Sequence, residues 1–142
     1  MRMIFVNLPV KSIEASRRFF GALGFEFNPQ FSDEKTGCMV IEENIFAMLL
    51  EHERFQDFIV GEISDAARAT EVLTCLSADS RAQVDDTLAK ALAAGAKPWK
   101  PILDMGAMYG CSFQDIDGHV WELMYMDPAA MAEMGEAAQV GA

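Results

Sequence analysis

Little in this chain points to familiar machinery. Its 142 residues hold three cysteines, two histidines and five prolines. Cys38, Cys75 and Cys111 are odd in number, far apart and never in a CxxC pair, so neither a disulfide framework nor a zinc knuckle is indicated. Reduced thiols suggest a cytoplasmic protein. Basic residues are scarce: 11 against 22 acidic ones, for a net charge of −11. No Lys/Arg cluster exists to neutralise phosphates, which excludes nucleic acid and disfavours anionic membrane surfaces. The longest wholly apolar run, "IFAMLL", is too short to span a bilayer, and "MRMIFVNLPV" lacks the core and cleavage site of a signal peptide. GxGxxG, P-loop, GxSxG and HExxH motifs are all missing.

What is present is a repeated pattern. The hydrophobic share of 51% and the length suit one globular domain with a real core. "MIFVNLPV" reads as a strand. "SIEASRRFFGALG" reads as a helix, with Ser12 as N-cap and Gly24 closing it. "FEFNPQF", "GCMVIEE" and "NIFAMLLEHE" read as three further strands, with the last turn at Glu43–Asn44.

The order then returns. "EVLTCLSA" is a strand, and "SRAQVDDTLAKALAAG" is a helix with a capping box, Ser80-x-x-Gln83, closed by Gly95. "AKPWKPI" is an edge-like strand, since Pro98 and Pro101 cannot donate to a ladder. "YGCSFQDI" and "HVWELMYM" are joined by Asp117-Gly118, which predicts a two-residue hairpin turn with positive φ at both positions. The reading is therefore an α+β chain of tandem βαβββ modules, about 1–61 and 71–127, joined by a connector at 62–70. Together they form a single domain, 1–127. Between the modules, "HERFQDFIVG" reads as a short helix that either packs as a connector or covers a pocket. In the tail, 128–142, Asp127 and Pro128 suit the start of a helical turn, and the last residues are expected to be mobile.

With that order in place, two stretches carry a resemblance. "FVNLPVKSIEASRRFFGALGFEF" is similar to the opening strand and "S-x-x-F-Y-x-x-x-L-G-F" helix of the vicinal-oxygen-chelate superfamily, which contains glyoxalase I, bleomycin-resistance proteins and extradiol dioxygenases. "YGCSFQDIDGHVWELMYMDP" resembles its closing "F-x-D-P-D-G-N-x-x-E-L" hairpin. The wording looks most like that of uncharacterised bacterial glyoxalase-related proteins. The resemblance covers about residues 3–127. It implies paired curved sheets around a cleft, a homodimer, and, in metal-bearing members, a divalent ion held by a ligand from the first and last strand of each half. Carried over by position, those four places hold Phe5, Met48, Leu73 and Glu122. Three are apolar and cannot hold a hard cation, so no metal or other cofactor is expected. A divalent metal is suggested by the resemblance alone, completed by Asn7, His52 or a partner chain; a register slip that brings Asn7 or Cys75 inward does not restore a full ligand set.

Glu122 therefore stands as the candidate catalytic residue. Three roles compete: a metal ligand, a general acid or base raised by burial, or a structural charge that is paired with Asn7, Ser77, Tyr109 or an arginine or reaches water. The structural role is favoured because buried charge is generally paired. Period-two alternation puts Phe5, Asn7, Met48, Leu50, Leu73, Cys75 and Met124 on the same face, and with Tyr109 they form the expected lining of a ligand cleft. His119 should face away from Glu122. Cys111 reads as packed and inert. The expected function is binding of a small, largely apolar molecule. The alternative is an enzyme of the superfamily, resembling lactoylglutathione lyase, an isomerase or a dioxygenase, with Glu122 as base or ligand.

Overall fold

The computed structural model describes residues 1–133. The first module runs β1 (Ile4–Val10), α1 (Ile13–Ala22), β2 (Glu26–Phe27), β3 (Thr36–Glu42) and β4 (Ile45–Glu51). A short helix, α2 (His52–Gln56), follows. The second module runs β5 (Leu73–Ser77), α3 (Arg81–Ala93), β6 (Lys97–Pro98), β7 (Leu103–Asp104), β8 (Met108–Gln114) and β9 (Val120–Met126). The strands make two curved open sheets. One is ordered β1-β4-β3-β2, the other β5-β9-β8-β6 with β7 also on β8. In both, the first strand pairs parallel with the last, and the last pairs antiparallel with its hairpin partner. The second module thus carries one strand more than its sequence suggests. Leu103–Asp104 is two residues long, too short to leave a period of its own.

Local chemistry sets the helix boundaries. Ser12 Oγ accepts from Ala15 N (3.1 Å), and Glu51 Oε2, at the end of β4, accepts from Ile13 N (3.0 Å). These groups satisfy donors that the first turn leaves free. Gly24 and Gly95 end α1 and α3 with φ of 100° and 114°, where a side chain would be strained. Ser80 caps α3 through Gln83 N (3.0 Å), but Gln83 Oε1 reaches back to Asp79 N (2.6 Å) rather than to Ser80. The box is thus closed one residue early. Asp127 Oδ1 accepts from Ala129 N (2.9 Å) as a helical stretch begins at 128. The expectation of a mobile end concerns residues outside those described.

The closing hairpin differs from the expected two-residue turn. Gln114 still pairs with Val120, and Asp115 N donates to His119 O (2.8 Å). Gly118 N donates to Asp115 O (3.0 Å). Only Gly118 has positive φ (91°). The loop is thus a three-residue connection, a four-residue turn whose last residue is the left-handed glycine, which keeps Asp117 in ordinary backbone. Asp115 causes the change. Its Oδ1 accepts from Asp117 N (2.9 Å) and His119 N (3.0 Å), and its Oδ2 accepts from Trp121 Nε1 (2.9 Å).

A single core joins the modules. It gathers Phe19 and Phe20 of α1, Met39, Ala47 and Leu49 of the first sheet, Val84 and Ala91 of α3, and Phe113, Trp121 and Leu123 of the second sheet. Phe20 meets Trp121 edge-on at 5.4 Å between ring centroids, and Phe19 lies 6.3 Å from Phe113. Cys111 is buried here, its Sγ 3.8 Å from Val84 O, and burial pushes its thiol up. The core side of each sheet is covered by helices, which turns the other side of each sheet outward.

Candidate functional site

The expected cleft face is divided between the two sheets. On the second sheet, Glu122 of β9 stands opposite Cys75 of β5 and Ser112 of β8. Leu73 and Met124 sit two pairs away on either side, on the same face. On the first sheet, Met48 stands between Asn7 and Cys38, Phe5 is opposite Phe46, and Leu50 is opposite Pro9. The rings of Phe5 and Phe46 stack at 4.9 Å. The parallel register therefore makes Asn7 and Cys75, rather than Phe5 and Leu73, the direct neighbours of Met48 and Glu122.

The outer faces are open. Phe5 and Leu73 are 49% and 53% exposed, Asn7 and Cys75 are exposed, and Met48, Glu122 and Met124 are half-buried. Met124 lies over Gly110 of β8, where a Cβ would come within 2.6 Å of its Sδ. Burial, and then the charge of Glu122, push the Cys75 thiol up, which disfavours a reactive thiolate.

Among the described residues, no hydrogen bond or salt bridge joins Glu122 to Asn7, Ser77, Tyr109 or an arginine, and its half-buried side chain is partly open to solvent. Asn7 lies on the other sheet, where its Nδ2 donates to Phe5 O (3.1 Å). Tyr109 lies on the core side of β8, opposite Tyr125. Its hydroxyl donates to Asp85 (2.6 Å), and the guanidinium of Arg81 sits 4.7 Å above its ring. Tyr109 is thus a helix-to-sheet tie and does not share Glu122's face; its parity depends on the β8–β9 register. Among the described residues, no salt bridge reaches Glu122.

The cavities lie elsewhere. One of about 360 Å³ opens between β1 and β5, beneath the chain that links the modules. Its apolar walls include Phe55, Ile59, Ile63, Val72 and Val120, and its polar members include Asn7, Thr74 and His119 and the carboxylates Glu62 and Glu71. A second, of about 670 Å³, adjoins it and is lined by Lys11, His52, Asp65, Lys97, Asp117 and His119, among others. A third, of about 580 Å³, lies at the far side of the junction and includes Cys75. Of the expected lining, Asn7 borders the first and Cys75 the third; Glu122, Phe5, Met48, Leu50, Leu73, Tyr109 and Met124 border none of the three.

The first two cavities share a built wall. His119 Nε2 lies 2.7 Å from Pro9 O, and since a carbonyl only accepts, Nε2 carries the proton. Lys11 N donates to Asp117 Oδ1 (2.8 Å). Both contacts tie the end of β1 to the hairpin of the second module. The connector presses on the same hairpin: a Cβ on Gly118 would meet Ala67 N at 2.8 Å. Sequence reasoning missed most of these residues because the connector has no period to read. Its one signal was the spacing of Phe55 and Ile59, and both line the cavity. Phe58, at the same spacing, is 71% exposed because α2 ends at Gln56.

Comparison with known proteins agrees with this architecture. Residues 2–42 match the family model described as bleomycin resistance protein-like N-terminal. No curated protein sequence matches the chain. Among solved structures, hypothetical protein SA1046 from S. aureus has 26% identity and a TM-score of 0.75, over 88% of this chain and 94% of that one. A glyoxalase/bleomycin resistance protein/dioxygenase family enzyme from Burkholderia phytofirmans PsJN has 19% identity and a TM-score of 0.73, over 89% and 99%. A glyoxalase-related enzyme from Fulvimarina pelagi has 19% identity and a TM-score of 0.72, over 88% of each chain.

The fold is that of the glyoxalase/bleomycin-resistance/dioxygenase proteins, the vicinal-oxygen-chelate superfamily. Within that class, the matched opening is similar to that of bleomycin-resistance proteins.

The superfamily's divalent ion does not fit the residues present. Glu122 is the only carboxylate in its row, beside a thiol and a hydroxyl, and Met48 and Phe5 stand on the other sheet. Among the described residues, no three His, Cys, Asp or Glu side chains are gathered to hold a metal ion. A hard cation needs several oxygen or imidazole ligands at once. No helix among the described residues is long and apolar enough to cross a membrane.

Proposed function

We propose that the protein binds a small, largely apolar molecule, without a resident divalent metal, in the cavity beneath the connector. The observation that carries this reading is the cavity itself. It holds about 360 Å³, its walls are mainly aliphatic and aromatic, and a few polar groups stand at its edge. That volume lies at the lower end of the range for small-molecule sites, and the composition is typical of them. The site thus moves from the Glu122 face to the module junction. The same reading makes the protein a cytoplasmic homodimer, supported by three unpaired cysteines and by the apolar residues Phe5 and Leu73 left open on the outer sheet faces.

One preparation tests all of this. Purified protein should sediment as a dimer, carry no stoichiometric metal, and show saturable amide shifts at Ala66, Gly118 and His119 when titrated with 1-octanol. Stoichiometric Zn, Ni, Fe or Mn, removed by chelator with loss of an activity, would overturn it.

A second reading keeps Glu122 as the general base of a superfamily enzyme. It rests on a half-buried carboxylate with no ion-pair partner among the described residues, set beside Cys75 and Ser112. A group at this exposure, open to solvent and substrate, suits proton transfer better than a sealed structural charge. Glu122→Gln should then abolish turnover of a superfamily substrate while leaving the urea midpoint unchanged. Equal turnover by wild type and variant removes this role.

A further inference from the structure

We propose that the ligand of the cavity beneath the connector is an apolar cation, a primary alkylammonium, with its hydrocarbon body between the apolar walls and its ammonium group beside Glu62 and Glu71. The inference rests on the small-molecule reading above and adds the chemical class. The cavity supplies the site, and its charged lining selects the sign. Phe55, Ile59, Ile63, Val72 and Val120 offer a hydrocarbon chain a place out of water. The two carboxylates bracket the connector, each next in sequence to a wall residue: Glu62 precedes Ile63, and Glu71 precedes Val72. Both residues are exposed, so they stand where the cavity meets solvent. No lysine or arginine borders this cavity. Among the described residues, neither glutamate enters a salt bridge. An apolar interior thus leads to an edge that carries two negative charges and no positive side chain to offset them.

The nearby cationic groups do not cancel that sign. His119 borders the cavity, but its Nε2–H is directed at Pro9 O (2.7 Å) and is not free for a ligand. Lys11, His52 and Lys97 border the adjoining cavity. They lie beyond the wall made by His119 on Pro9 and by Ala66 and Ala67 against Gly118. Arg68, the connector's basic residue, is exposed and does not border the cavity. The other polar members, among them Asn7, Thr70 and Thr74, are neutral and favour neither sign. A carboxylate at this edge would meet two like charges, which is unfavourable. A primary ammonium brings three N–H donors and no acceptor, which suits two carboxylates.

Three probes of equal chain length test the assignment: octylammonium, 1-octanol and octanoate. Each is titrated into the full-length protein at about pH 8, where glutamate and an alkylammonium are both charged and a free imidazole is not. Amide shifts report binding. Octylammonium should bind most tightly, with shifts centred on Ile59, Val72 and Thr74, which border this cavity and not its neighbour. The chain's net charge of −11 attracts any cation, so a double variant locates the effect. E62Q/E71Q, altered only at exposed positions, should weaken octylammonium by about fivefold, the order that two exposed charge pairs supply, and leave 1-octanol unchanged. Octylammonium binding unaltered in that variant overturns the role of the two glutamates. 1-Octanol binding as tightly as octylammonium overturns the cation assignment while the small-molecule reading survives. Tighter binding of octanoate overturns the assigned sign. Octylammonium shifts centred on Lys97 and Gln114 overturn the location. Failure of all three probes to bind overturns both the inference and the reading beneath it.

Discussion

Asp115 shows how much one side chain organises. The residue is only 5% exposed, yet its carboxylate satisfies two backbone N–H groups and the indole of Trp121. Removing it leaves those donors without a partner in a space that water barely reaches. Asp115→Ala should therefore cost about 3 kcal/mol, since each stranded buried donor costs roughly 1–3 kcal/mol and some relax. Burial also holds the Asp115 carboxyl above its ordinary value of 3.8, against the lowering effects of His119 and the three donors. A raised value means that the fold favours the protonated form. That contribution is fully present below 3.8 and is lost as pH rises towards the folded value. Asp33, Glu53 and Asp104 act in the opposite direction. A Lys35 backbone hydrogen bond, a Lys35 side-chain hydrogen bond and an Arg81 side-chain hydrogen bond, respectively, are the leading causes that hold them low. Comparison with Asp115→Asn isolates the one group from this background. In urea unfolding across a pH series, the stability of the wild type relative to Asp115→Asn should fall as pH is raised through that window. A rise instead would mean that the three donors outweigh burial.

Among the elements, the chain announces whatever rests on local chemistry and conceals whatever rests on register. Ser12, Ser80, Gly24 and Gly95 are legible because an N-cap oxygen and a left-handed glycine act within a few residues of themselves. The βαβββ order is legible for the same reason, since alternation and helical spacing are short-range signals. The hairpin at Asp117-Gly118 is half legible. Glycine supplies the positive φ, but Asp115, two residues before Asp117, decides the loop length through bonds no dipeptide reveals. Tyr109 is illegible in its facing, because the parity of β8 follows from its pairing with β9. The candidate site suffers most. Sheet parity correctly groups Glu122 with Leu73, Cys75 and Met124, and Phe5 with Asn7 and Met48. It cannot say that these two groups stand on different sheets, with helices packed between their inner sides. The junction cavity depends on an aperiodic connector crossing two strand edges, so its walls assemble only when both modules are in place.

At the scale of the whole molecule, the repeat invites the view that each module is a folding unit. The core argues otherwise. Phe20 belongs to α1 of the first module, yet its ring packs edge-on against Trp121 of the second at 5.4 Å, as well as near Phe25 at 6.2 Å. It is among the largest fully buried side chains, with Trp121 and Phe113. The junction adds the His119–Pro9 and Lys11–Asp117 hydrogen bonds. A module released alone would expose this surface to water and lose the burial that stabilises it. The two modules should therefore unfold together. Phe20→Ala offers the cleanest measurement, because it removes the ring without touching a polar group or either sheet. Truncating a buried phenylalanine costs about 3–5 kcal/mol. Under coupling, that loss is felt equally on both sides of the junction. Native-state hydrogen exchange should show β3 and β8 amides losing the same increment of protection in Phe20→Ala, with a single transition in urea. Loss confined to β1, β3 and β4, with β8 and β9 as protected as in the wild type, would instead establish two independent units and leave the cavity between them without a fixed wall.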